Sequence, residues 1–139
     1  MWYIEVMVTK TGNIPTEEEE QVAFVQWCRI KGYKVHHCAN EVGGSTRQLK
    51  LRAIKAKKMG TSKGFPDLLI FVPIYGVIGE PDAYQPIAIE MKRRKCGVVS
   101  VEQKEWGEVL NASGVPFKVC KGCNEAIEFV KEVVDYGED

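Results

Sequence analysis

Residues 64–72 read Gly64-Phe65-Pro66-Asp67-Leu68-Leu69-Ile70-Phe71-Val72, and residues 86–92 read Pro86-Ile87-Ala88-Ile89-Glu90-Met91-Lys92. Each contains a short continuous apolar run, the pattern of a strand buried on both faces of a sheet. Gly76 to Gln85 between them, with Gly79 and Pro81, reads as a turn-rich connection. Asp67 sits at the start of the first run and Glu90 near the end of the second. If the two strands pair antiparallel, both acids fall at the same end of the sheet. Glu90 and Lys92 are two residues apart, so on a strand they face the same side. A carboxylate that follows Ile87-Ala88-Ile89 into a central strand requires a partner or a metal.

Outward from this pair, helices alternate with strands. Thr16 is a good N-cap, Glu19 stands three residues on, and acids fill the first turn, so a helix is expected from about Glu17 to Lys31, stopped by Gly32. Val22, Val25 and Cys28, with Phe24 and Trp27, form its expected apolar side. Tyr33 to Cys38 reads as a strand, and Arg47 to Met59 as a basic helix with Leu49, Ala53 and Ala56 as its buried stripe. A helix from Ser100 to about Asn111, a strand from Val115 to Val119, and a helix from Asn124 to about Val134 complete the order. Trp2 to Val8 is a weaker strand candidate. The sum is an α/β fold, a mixed central sheet flanked by helices, in a single domain spanning 1–139.

Hydrophobic residues make up 45% and charged residues 27%, the balance of an ordinary globular protein. No apolar run approaches the roughly 20 residues of a membrane span. Met1 to Lys10 lacks a basic start followed by an apolar stretch, so no signal peptide is expected and the cytoplasm is the default location. The five cysteines (28, 38, 96, 120 and 123) are expected to be reduced there. Net charge is zero, yet Arg29 to Lys63 holds ten Lys or Arg against one acid, Glu41, a local +9. Lys92-Arg93-Arg94-Lys95 adds four more. Segregated basic charge of this kind suits phosphate binding, although such runs are often only solubilising. Arg52, Lys55 and Lys63 are the candidates for sequence-independent phosphate contacts.

Two acids and a lysine in a small space fit hydrolysis of phosphodiesters. Hard divalent cations such as Mg²⁺ take carboxylate and phosphate oxygens, and an adjacent lysine can orient or deprotonate a water. Pro66-Asp67 followed by Glu90-Met91-Lys92 resembles the PD-(D/E)xK signature of a nuclease superfamily. The wider context is similar to its VRR-NUC branch, which in turn resembles Holliday-junction resolvases. The matching residues are Glu17-x-x-x-Gln21, Asn40, Gly60-x-x-x-Gly64-Phe65-Pro66-Asp67, Ile89-Glu90-Met91-Lys92 and Gly97-x-x-Ser100-x-x-Gln103-x-x-Trp106.

The resemblance implies a restriction-endonuclease-like core and a Mg²⁺- or Mn²⁺-dependent endodeoxyribonuclease. Asp67, Glu90 and the backbone carbonyl of Met91 would be metal ligands, and Lys92 would act on the attacking water. Glu17 would be the helix-borne acid, with Glu18 and Glu20 as alternatives, and Gln21 would point into the same site. Asn40, Ser100 and Gln103 would contact DNA. The 22 residues between Asp67 and Glu90 exceed the tightest family members and imply an insertion in the strand connection. Stand-alone relatives resemble small phage enzymes acting in a bacterial cytoplasm. Branched DNA, four-way junctions first and flaps or duplex ends second, is the expected substrate, and cutting two strands favours a homodimer.

Blander readings exist for each part. An Asp after Pro can cap a turn, and Glu-x-Lys on a strand is commonly a solvated pair. The combined motifs outweigh them. A non-catalytic nucleic-acid-binding module on the same fold is the alternative. A redox protein using Cys120-Lys121-Gly122-Cys123 is a third reading, since a helix N-terminus lowers a thiol's pKa. His36 and His37 are adjacent on a strand, so only one can face a site.

Overall fold

The computed structural model describes residues 14–38, 45–77, 79–95 and 97–136. The expected strand at Trp2–Val8, together with Asn40 and Cys96, lies outside them. In chain order the elements are α1 (Glu17–Ile30), β1 (Lys34–His37), α2 (Arg47–Lys58), β2 (Leu68–Tyr75), β3 (Pro81–Lys92), α3 (Val101–Ala112), β4 (Phe117–Lys121) and α4 (Cys123–Tyr136). The strands form one mixed sheet in the order β1-β2-β3-β4. The first two pairings are antiparallel, and β3 with β4 is parallel. This is the expected α/β architecture.

The sheet has two different faces because successive side chains alternate. Leu68, Ile70 and Val72 of β2, Ile87, Ile89 and Met91 of β3, and Cys120 of β4 join one core cluster. Phe24 and Cys28 of α1 and Ala126, Ile127 and Val130 of α4 cover it. Each large apolar side chain fully buried there contributes about 1.5–3 kcal/mol relative to exposure. Ala88 and Glu90 have the opposite parity in β3, so they occupy the other face, toward α3.

The caps follow the side-chain chemistry. Thr16 Oγ1 accepts the Glu19 N–H at 3.1 Å at the start of α1, and Ser100 and Gln103 form a full capping box on α3. Gly32 ends the first helical segment with φ at +82°.

Three expectations are corrected. Val22 is 51% exposed, because the buried stripe of α1 is Glu20, Ala23, Phe24 and Cys28. The α2 stripe of Leu49, Ala53 and Ala56 is only half-buried, and no residue of that helix is fully buried. The second half of the connection from Gly76 to Gln85 is strand, since β3 begins at Pro81 and pairs with β2 out to Tyr75. The long spacing between Asp67 and Glu90 is therefore a projecting two-stranded ribbon. Pro73 lies beyond the reach of β1, and Pro86 beyond that of β4. Each proline thus sits where its strand has one free edge, the setting that tolerates a missing N–H.

Candidate active site

The β2–β3 ladder ends at the Leu68–Ile89 pair. One step further sets Asp67 opposite Glu90. Two hydrogen bonds lock this step: the Asp67 N–H donates to Glu90 Oε2 at 3.1 Å, and the Met91 N–H donates to Asp67 Oδ2 at 3.1 Å. In an extended strand a residue's N–H and C=O point to the same side. The Met91 carbonyl therefore also faces the β2 side, where Asp67 lies. Lys92 Nζ stands 3.6 Å from Glu90 Oε1, with its side chain 16% exposed. Just past β1, the Cys38 N–H donates to the Asp67 carbonyl at 2.7 Å, and His37 lies near Asp67.

Helix α3 closes the site through one side chain used at both ends. Gln103 Oε1 accepts the Ser100 N–H at 2.9 Å, completing the capping box. Its Nε2 donates to Glu90 Oε1 at 2.6 Å. One turn on, the Trp106 ring meets Phe65 edge-on with centroids 5.0 Å apart. Phe65 directly precedes Pro66 and Asp67, so the Ser-x-x-Gln-x-x-Trp spacing fixes α3 against both acid-bearing strands. Gly64 allows this approach, because a Cβ there would lie 2.6 Å from the Glu102 carbonyl carbon.

Electrostatics set the pair apart from ordinary surface acids. Burial raises the pKa of Glu90 from 4.5 to about 8, helped by the Asp67 carboxylate and opposed by Lys92. Burial also raises Asp67, opposed by the Met91 N–H and by Glu90. Burial thus outweighs the nearby Lys92 at two crowded carboxyls, a pattern typical of functional centres.

The acids lie in a groove of about 1020 Å³ that also takes in Lys92, Lys57, Lys63, Ser100 and Gln103. The structure brings together Asp67, Glu90, Lys92, Met91, Gln103, Ser100 and Lys63. It does not bring Glu17, Gln21, Arg52 or Lys55 into the groove lining. Glu17 and Gln21 are half-buried on α1, and among the described residues no third His, Cys, Asp or Glu joins the pair as a ready metal cluster. Lys55 lies about 200° around α2 from Lys57. Lys57 escaped the sequence reading, although its place beside the Ala53–Ala56 stripe was a usable signal for it.

Cys28, Cys38, Cys120 and Cys123 are free thiols. Burial pushes Cys120 and Cys123 up to about 12. That is opposite to what a redox-active thiol needs, so the Cys120–Cys123 spacing gives no redox centre.

The protein is a mixed α/β fold with two crowded acids and a lysine at adjacent strand ends. A family model, the VRR-NUC domain, matches residues 13–124. The chain belongs to the VRR-NUC domain family, which is a nuclease family, and its core is restriction-endonuclease-like. A solved structure described as a VRR_NUC domain protein is similar to it, with 26% identity and a TM-score of 0.63. That match covers 85% of this chain and 87% of the other. No curated protein matches. DNA is the partner that nuclease membership implies. No helix among the described residues is long and apolar enough to cross a membrane.

Proposed function

We propose that the protein is a divalent-metal-dependent endodeoxyribonuclease selective for branched DNA, with Asp67, Glu90 and Lys92 as its catalytic centre. The observation that carries this reading is the Asp67–Glu90 pair: two carboxyls interlocked at adjacent strand ends, both resisting ionisation, with Lys92 3.6 Å away. Hard oxygen donors crowded together and partly buried fit Mg²⁺ or Mn²⁺. Asp67, Glu90 and the Met91 carbonyl would hold such an ion, and Glu17 remains the proposed further acid, acting with Gln21. A divalent ion supplies Lewis acidity and charge neutralisation at a phosphodiester. Lys92 orients the attacking water and offsets charge on the phosphate. Gln103 holds Glu90 in place by its 2.6 Å hydrogen bond, leaving Asp67 as the more accessible acid.

The carboxyl pair dictates a pH signature. In the unfolded chain both acids ionise near their ordinary values, whereas the folded chain holds their protons to higher pH. Their contribution to stability is therefore full below about pH 4 and is lost as pH rises through about 8 for Glu90. In EDTA, the melting temperature is expected to fall between pH 5 and pH 8.5. Added Mg²⁺ is expected to raise it more at pH 8.5 than at pH 5, because the ion binds the ionised pair. Differential scanning fluorimetry at the two pH values checks both signs.

On DNA, Lys57 and Lys63 contact phosphates in the groove, and Ser100 lies at its α3 wall. Arg52 and Lys55 would extend these contacts outside it, and Asn40 is a further proposed DNA contact. Lys57→Ala is expected to weaken DNA binding and flatten its salt dependence by about one unit of slope, with a smaller change for Lys55→Ala. Fluorescence anisotropy across a salt series separates the two.

The absence of a sequence-reading module among the described elements favours recognition of DNA shape. A homodimer would present two centres to the two strands of a junction, and a phage or bacterial enzyme would work in the host cytoplasm. Cleavage of a labelled four-way junction, a flap and a matched duplex in Mg²⁺ and Mn²⁺ tests the substrate. Junction cutting in paired, symmetric positions supports the dimeric resolvase reading. Equal cutting of duplex removes it.

A further inference from the structure

Four glutamates open α1, and one of them behaves unlike the rest. Glu20 is fully buried, at the head of the stripe that continues through Ala23, Phe24 and Cys28. A carboxylate at a core position needs strong partners. Its Oε1 accepts from Arg94 Nε at 3.0 Å and from the Cys123 N–H at 3.3 Å, in the first turn of α4. The fit is incomplete, since Glu20 Oε2, Arg94 Nη2 and Asn124 Oδ1 are all buried without a hydrogen-bond partner. A buried pair with orphaned atoms is a poor device for stability alone, and apolar side chains of similar volume would serve as well.

The network leads to the end of β3. Arg94 is two residues beyond Lys92. Gly122, next to Cys123, donates its N–H to the Lys92 carbonyl at 3.1 Å. Gly122 has φ at +97°, and a Cβ there would lie 2.8 and 2.9 Å from the two Glu20 oxygens. Gly97 closes the other side, where a Cβ would stand 2.9 Å from Lys92 Cβ. The backbone is thus gripped at Lys92 and its chain tethered again at Arg94, with α1 and α4 as the anchors.

We infer that Glu20 is a positioning residue: through Arg94 and the Gly122–Cys123 turn, it holds the exit of β3 so that Lys92 stays against Glu90. The inference rests on the proposed role of Lys92 in cleavage. It also gives the fourth glutamate a task away from the carboxyl pair.

The test uses the full chain carrying Glu20→Gln, which keeps the shape and removes the charge. Lysine acylation read by mass spectrometry reports the position of Lys92 without any cleavage. The expected result is Lys92 acylated several-fold faster than in the wild type, with Lys63 and Lys118 unchanged, in a chain that still melts cooperatively. Single-turnover cleavage at saturating DNA should fall by about 10–100-fold, the scale for loss of an outer-shell partner, while DNA affinity holds. If Glu20→Gln does not fold, Arg94→Gln is read the same way. A folded variant with wild-type Lys92 acylation and wild-type cleavage overturns the inference. If the wild type cuts no DNA but Lys92 acylation still rises in the variant, the cleavage reading fails and the positioning role stands.

Discussion

Asp67→Asn is expected to abolish cleavage while leaving the metal-free protein as stable as the wild type or more so. The asparagine oxygen can still accept the Met91 N–H that now bonds Asp67 Oδ2 at 3.1 Å. What disappears is a carboxyl that crowds Glu90 and raises its pKa. A structural acid behaves in the opposite way, because its removal orphans the partners it held. The activity loss should exceed the roughly 10–100-fold seen when an outer-shell partner of a metal site is removed. Measured together in EDTA and in Mg²⁺, melting temperature and cleavage rate separate an acid placed for chemistry from one placed for folding. A stability loss matching the activity loss would remove Asp67 from the centre.

The largest stability effect is expected at Gly64. Its φ of +87° is a conformation that side chains disfavour, at a cost of about 1–3 kcal/mol. A Cβ would also stand 2.6 Å from the Glu102 carbonyl carbon and 2.8 Å from the Gln103 nitrogen. These are backbone atoms that cannot swing aside, and overpacking of this kind adds about 1–3 kcal/mol. Gly60 provides the control, with φ at +106° and nothing within 4 Å of a Cβ. Urea unfolding should show Gly64→Ala losing clearly more stability than Gly60→Ala, which bears the strain alone. Because the clash is with the turn holding Gln103, Gly64→Ala should also slow cleavage. Equal losses for the two variants would mean that α3 is not seated on the 60–67 loop in the way described.

Much of this was legible in the sequence, for identifiable reasons. Ile87–Met91 is buried on both faces and Leu68–Val72 fully on one, so both runs read as strands, and an antiparallel pairing then sets Asp67 and Glu90 at one end. The caps at Thr16 and Ser100 are local chemistry, and local chemistry reads well. The strand pairing of Pro81–Tyr84 with Pro73–Tyr75 did not, because Pro81 and the loop glycines Gly76 and Gly79 make the whole stretch look like loop. Its pairing depends on which strand edges are free, a property of the whole sheet. The double use of Gln103 was also hidden: the sequence offered it as a DNA contact, whereas its cap on Ser100 and its bond to Glu90 depend on how α3 seats on the sheet. Lys55 and Lys57 differ only by their angle around α2, and a charge count is blind to angle. Glu20 was one of four equivalent letters until its burial set it apart.

Whether Asp67, Glu90 and Lys92 cut DNA with a divalent ion is decided by one cleavage assay. Wild type, Asp67→Asn and Lys92→Ala, each shown to be folded, are incubated with a labelled four-way junction in Mg²⁺, Mn²⁺ and EDTA, beside the matched duplex and flap. Cleavage by the wild type only with metal, and none by either variant, is the expected result. Binding of the junction by the wild type with no cleavage in either metal, or equal cleavage by wild type and both variants, would contradict it.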